Sequence, residues 1–236
     1  YHADRGVIRI NGSKYERWTP HEIMSKGVSF IYQELNLIQS FSVSQNLFIG
    51  RELTGLFGLM KKNKMRARAK HALARLGAED INVDMIVKDL PIAKQQFVAI
   101  AKALDQNPSL LVLDEPANRL GFEDIERLFK ILDKMRSEGI SIIYVSHRLD
   151  EIYRISDRIT VLRDGRLIIT DQAKSISPQQ LVEYMVGEKI HKKKRKNRSR
   201  HPQVLLETEK LNGDGFHDIS LQLYAGEVLG LIGAVG

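Results

Sequence analysis

The chain has 236 residues, 43% hydrophobic and 28% charged, enough for one large domain or one domain with part of another. It contains no cysteine, which excludes disulfides, thiol catalysis and cysteine-type zinc sites, and no run of about 18 uninterrupted apolar residues offers a membrane span. Seven of the 36 basic side chains fall between Lys192 and Arg200 with no acid among them, and without those seven the basic and acidic residues balance. The net charge of +7 therefore belongs to one short tract and gives no reason to expect a nucleic-acid partner.

In chain order, Tyr1 to Gly6 is polar and lacks the pattern of a secretory leader. The alternating run Val7-Ile8-Arg9-Ile10, followed by Asn11-Gly12, predicts a hairpin whose two turn residues both take positive φ. Thr19-Pro20 predicts an N-cap and a proline in the first turn of a short helix reaching about Lys26, with Gly27 ending it. Val28 to Tyr32 then predicts a strand running into Gln33-Glu34. The stretch from about Val43 to Leu104 is expected to be helical, and Lys61 to Leu76, stopped by Gly77, has the best helix chemistry within it.

The unbroken apolar run Leu110 to Leu113 predicts a strand buried on both faces, ending in Asp114-Glu115-Pro116. Ile125, Leu128, Phe129, Leu132 and Met135 recur at helical spacing up to Gly139. Ile142 to Val145 predicts a second buried strand, ending in Ser146-His147, with a helix to about Ile155 and a hairpin at Asp164-Gly165 after it. Gly187 to Gln203 is polar and cationic, as a linker is. Val204-Leu205-Leu206 opens a new strand pattern. Gly226 to Gly236 reads as an apolar strand entering a turn with glycines at 230, 233 and 236, so the chain reads as a piece of a longer protein.

Strand, helix and strand with polar residues at the carboxyl ends is the pattern of an open α/β sheet, whose ligands sit beyond those ends. Asp114, Glu115 and His147 all fall there. The acidic pair admits two readings. In one, Asp114 holds Mg²⁺ through water and Glu115 polarises an attacking water; in the other, a buried strand simply ends in solvated acids. His147 is either a phosphate contact or an ordinary histidine at a strand end. Gly230, Gly233 and Gly236 either begin a phosphate cradle or form a glycine-rich surface turn.

Order and spacing join these features. Gln33, then a helical insertion, then Leu90-Pro91-Ile92-Ala93-Lys94-Gln95-Gln96, then Leu113-Asp114-Glu115-Pro116, then Ser146-His147 resembles the ATP-binding cassette (ABC) transporter ATPases throughout. In that family these are the Q-loop, the signature motif, Walker B and the switch histidine. Gln33 to Leu37, Asn46 to Glu52, Gln95 to Leu104 and Met185-Val186-Gly187 look like the tandem-cassette, monosaccharide-importing branch.

The resemblance implies an α/β P-loop NTPase fold with a helical subdomain over about 43–104. Residues 1–188 would be a first cassette lacking its Walker A loop, 189–203 a basic linker, and 204–236 the start of a second cassette cut within its own Walker A. It implies ATP and Mg²⁺ as cofactors, Glu115 and His147 as catalytic residues, and Asp114 with Gln33 at the metal. Gln33, Pro91, Ile92, Ala93, Lys94, Gly233 and Gly236 would contact nucleotide.

The implied partners are a transmembrane permease subunit, a second cassette and, indirectly, a periplasmic solute-binding protein. The implied place is the cytoplasmic side of the cell membrane, and the piece is not expected to be active alone. The signature departs from the family pattern: Pro91 stands where serine is usual, Ala93 where glycine is, and Lys94 where glutamine is. That departure keeps a regulatory or degenerate cassette as an alternative. A soluble tandem cassette acting on ribosomes or nucleic acid is a further one, disfavoured by the short link between the two halves.

Overall fold

The computed structural model describes residues 6–15, 19–55, 58–187, 203–213 and 216–230. The chain divides into two compact units, Tyr1–Met185 and Val186–Gly236.

The first unit opens with a hairpin of β1 (Ile8–Ile10) and β2 (Ser13–Tyr15). Asn11 and Gly12 turn it at φ 49° and 80°, the left-handed pair that a two-residue hairpin loop requires. Helix α1 (Pro20–Ser25) follows under a capping box: the Thr19 hydroxyl accepts from the Glu22 N–H at 3.3 Å, and the Glu22 carboxylate accepts from the Thr19 N–H at 2.7 Å.

Three parallel strands form the sheet in the order β3 (Val28–Ile31), β4 (Leu110–Asp114), β5 (Ser141–Val145). Between β3 and β4 lie α2 (Val43–Phe48), α3 (Lys62–Arg75) and α4 (Ile92–Leu104), and α5 (Phe122–Ser137) links β4 to β5. The expected helical stretch is thus three helices rather than a continuous run. Gly50 and Gly77, at φ 71° and 61°, adopt the left-handed backbone that ends helices just past Phe48 and Arg75. After β5 come α6 (Leu149–Ile155), the hairpin of β6 (Arg158–Arg163) and β7 (Arg166–Gln172) turned by Asp164 and Gly165, and α7 (Pro178–Val186).

The register sorts the strand residues onto two faces. Ile31, Leu111, Leu113, Ile142 and Tyr144 share one face and join a continuous core with Phe97 and Ile100 of α4 and Leu128, Phe129 and Leu132 of α5. That core runs on without a break to Val43, Leu47, Met65 and Leu73 in α2 and α3. The other face is covered at Val28, which is buried, but opens toward β5: Ile143 is 50% exposed, Val145 46%, and Phe30 and Val112 only half-buried. The expectation that β4 and β5 are buried on both faces is therefore corrected. Apolar residues on every position reflect what a parallel strand tolerates, whereas burial requires a covering layer, and helices α4 and α5 cover one side.

In the second unit β8 (Val204–Gly213) pairs antiparallel with β9 (Phe216–Tyr224), so a strand does begin at Val204. The expected strand after Gly226 is not formed over its described part. Residues 227–230 pair with no strand among the described residues, and Val228 is 90% exposed. An extended segment becomes a strand only when its N–H and C=O groups find a neighbour.

Candidate active site

Parallel register aligns the carboxyl ends of the strands. Ile31 lies beside Leu113, Leu113 beside Tyr144, and Asp114 beside Val145. One step further the Glu115 N–H still donates to the Val145 carbonyl at 2.9 Å, while Glu115 itself sits at φ 47°. A glutamate in the left-handed region is uncommon, and such backbone persists where the surroundings dictate it.

Those surroundings are three donors. Gln33 Nε2 donates to Glu115 Oε2 at 3.2 Å, Asn118 Nδ2 donates to the same oxygen, and His147 Nδ1 lies 2.8 Å from Oε1. Since a carboxylate accepts, Nδ1 carries a ring proton in this contact. The group borders a cleft of about 360 Å³ whose lining includes Gln33, Ile92, Gln96, Glu115, Asn118 and His147. A carboxylate fixed by three neutral or weakly basic donors is held in place, and it can take a proton from a water that displaces one of them. Gln96 is 7% exposed, and its Nε2 has no partner among the described residues.

Asp114 ends β4 with its side chain exposed and no hydrogen-bond partner among the described residues. No cluster of three or more His, Asp or Glu ligands occurs among the described residues. The residues fit Mg²⁺ nonetheless, because that ion takes one or two protein carboxylates and fills its remaining positions with water and substrate phosphates. Asp114 is such a carboxylate. Gln33, with its Nε2 engaged by Glu115, has its amide oxygen left as a second ligand.

The residues expected to form the signature stand at the amino end of α4. Pro91 is the N-cap at φ −52° and makes no side-chain cap; it has neither the hydroxyl nor the N–H that a serine there would present. Ile92 is 39% exposed and reaches the cleft, and Ala93 is half-buried. Lys94 is engaged elsewhere: its Nζ lies 2.7 Å from Asp80 Oδ2, and Arg127 shares that carboxylate at 3.4 Å while its guanidinium stacks 4.6 Å above the Phe97 ring. The hydrogen bond from Lys94, with a smaller contribution from Arg127, holds the Asp80 carboxyl below the usual carboxylate range. The structure therefore brings Gln33, Glu115 and His147 into direct contact, places Asp114 next to Glu115, and leaves Lys94 paired within its own chain. Gly233 and Gly236 lie outside the described residues.

Sequence reasoning gave Asn118 no contact or role. Its signal was an amide three residues after a strand-terminal glutamate, where a tight turn folds it back on that carboxylate; the Asn118 N–H donates to the Glu115 carbonyl at 3.3 Å.

Residues 1–118 match the sequence profile of the ABC transporter family. The chain belongs to that family. Among curated relatives, it is 38% identical over 234 residues to the ribose import ATP-binding protein RbsA of Streptococcus agalactiae. It is 40% identical over 238 residues to a putative ribose/galactose/methyl galactoside import ATP-binding protein of Agrobacterium fabrum. These alignments take in 99% and 100% of this chain but 47% of each relative, so the chain spans about half their length.

Solved ABC cassettes share the fold. One, the ADP conformation of an ATP-binding cassette of an ABC transporter, superposes with a TM-score of 0.65 at 22% identity, covering 80% of this chain and 79% of its own. Another, a protein from Clostridium perfringens that is part of an ABC transporter complex, gives a TM-score of 0.60 at 26% identity, covering 78% and 70%. The fold class is thus the α/β cassette of the P-loop NTPases.

Proposed function

We propose that this chain is part of an ATP-hydrolysing subunit that powers import of a monosaccharide, acting at the cytoplasmic side of the membrane with a transmembrane permease. The observation that carries the reading is the Glu115 carboxylate clamped by Gln33, Asn118 and His147 at the carboxyl edge of the sheet, in a member of the ABC transporter family. The names of the sugar-import relatives support the substrate class. In this reading Glu115 is the base that takes the proton of the attacking water, His147 orients that water and the terminal phosphate, and Asp114 with Gln33 holds Mg²⁺. Mg²⁺ supplies charge neutralisation on the phosphates.

Residues 1–188 form the first cassette in this reading, with its helical subdomain over about 43–104. Residues 189–203 are a linker and 204–236 open a second cassette, with Gly233 and Gly236 in its phosphate loop. The test is Glu115→Gln in the longest natural chain that carries these residues. Single-turnover ATP hydrolysis should fall about 10²–10⁴-fold while equilibrium ATP binding holds, because the amide keeps the shape and loses the base. Near-normal hydrolysis would move the chemistry to another cassette and overturn the assignment.

A second reading, a half that regulates more than it hydrolyses at one of two unequal composite sites, is favoured by one observation. The signature offers proline at its second position and a lysine already paired with Asp80. Pro91→Ser together with Lys94→Gln should then raise ATP turnover of the complete protein; no change would remove that reading.

A further inference from the structure

Glu151 lies in the first turn of α6 and is 2% exposed, a burial that a carboxylate tolerates only when it is bonded on several sides. Its Oε2 accepts from the Tyr144 hydroxyl at 2.9 Å and from the Ser146 hydroxyl at 2.9 Å. The Ser146 oxygen in turn accepts from the Arg148 N–H at 3.1 Å. The Arg148 guanidinium lies 3.0 Å from Glu151 Oε1, an ion pair without hydrogen-bond geometry, and 3.2 Å from Asp150. The buried carboxylate thus gathers the end of β5 and the turn into α6 around itself, and it binds the residues immediately before and after His147.

We propose that Glu151 is a positioning residue for hydrolysis, acting through Ser146 and Arg148 to hold the His147 ring on Glu115. This rests on the reading of Glu115 and His147 as the hydrolytic pair. An acid in the first turn of a helix is favourable at any exposed position through the helix dipole alone, and that role asks for neither burial nor contacts back to the strand. Glu151 has both. His147 is exposed and its ring touches Glu115 at 2.8 Å, so its aim depends on the backbone at 146 and 148. Displacements of about 1 Å at such a group lower rates substantially. Burial, with the neighbouring Glu151 adding to it, also pushes the Tyr144 hydroxyl up, which keeps it protonated as a donor to the carboxylate.

The experiment is a double-mutant cycle on the complete protein, with single-turnover ATP hydrolysis and equilibrium ATP binding measured for Glu151→Gln, His147→Ala and the pair. Glu151→Gln should slow hydrolysis about tenfold with ATP affinity kept within about twofold, and should slow it no further when His147 is already alanine. The same slowing in both backgrounds, or none in the first, overturns the proposal. Should Glu151→Gln fail to fold, Ser146→Ala carries the cycle, since it removes one hydroxyl and leaves the carboxylate its tyrosine and arginine.

A failure of the hydrolytic reading shows itself separately, as unchanged hydrolysis in His147→Ala. The imidazole ¹⁵N spectrum then decides the positioning role by itself. In the parent the neutral His147 ring should be the Nδ1–H form, and in Glu151→Gln it should mix with the Nε2–H form. An unchanged spectrum overturns the proposal.

Discussion

Asn46 is fully buried in α2 and closes the segment that leads from Gln33 to that helix. Its Oδ1 accepts from the Ile38 N–H at 2.7 Å, and its Nδ2 faces the carbonyls of Ile38, Phe41 and Ser42 at 2.9, 3.4 and 3.2 Å. Those carbonyls have other partners as well: Phe41 N–H for Ile38, Val87 N–H for Phe41 and Asn46 N–H for Ser42. Asn46→Ala therefore orphans chiefly one donor, the Ile38 N–H, and should cost about 1–3 kcal/mol.

Asn46→Asp keeps that bond and the shape but turns a donor into a charged acceptor against three carbonyl oxygens. An uncompensated buried charge costs about 3–5 kcal/mol, so the near-isosteric change should be worse than alanine at neutral pH. Protonation gives the carboxyl an O–H to donate, so the penalty should shrink as pH falls. Urea denaturation followed by far-UV circular dichroism at pH 7.5 and pH 5 measures both effects, provided the slopes stay equal. An aspartate variant as stable as the alanine one at pH 7.5 would refute the argument.

The Asp80 carboxyl, lowered in the folded chain, contributes stability above the ordinary carboxyl value near 4 and loses it as pH falls through the lowered folded value. Asp80→Asn should thus destabilise by about 0.5–1 kcal/mol at pH 7, a figure reduced for the exposure of the pair, and the difference from the parent should vanish in acid. On the sheet, Leu113→Ala on the covered face should cost about 2–5 kcal/mol, whereas Ile143→Thr on the open face should stay within about 0.5 kcal/mol; equal losses would contradict the one-sided layer.

The sequence alone determined the features that rest on a few neighbouring φ/ψ angles. Asn11-Gly12 and Asp164-Gly165 could be read as hairpin turns because few residues accept two successive positive φ values, and Thr19-Pro20 as a helix start because the cap lies within three residues. Gln33, Asp114, Glu115 and His147 were legible from their order and their places after strands. Their contacts span 82 residues from Gln33 to Glu115 and 32 from Glu115 to His147, and only the parallel register aligns them.

Tertiary structure alone decided the rest. Apolar runs in β4 and β5 look the same whether one face or two is covered, because burial is a property of the layer above and not of the strand. Lys94 stands in an expected signature position, yet it pairs with an aspartate from the loop after α3. Asn118 carried only the faint mark of a local turn and Glu151 none, since a polar side chain shows its role chiefly through the groups the fold sets within about 3 Å of it.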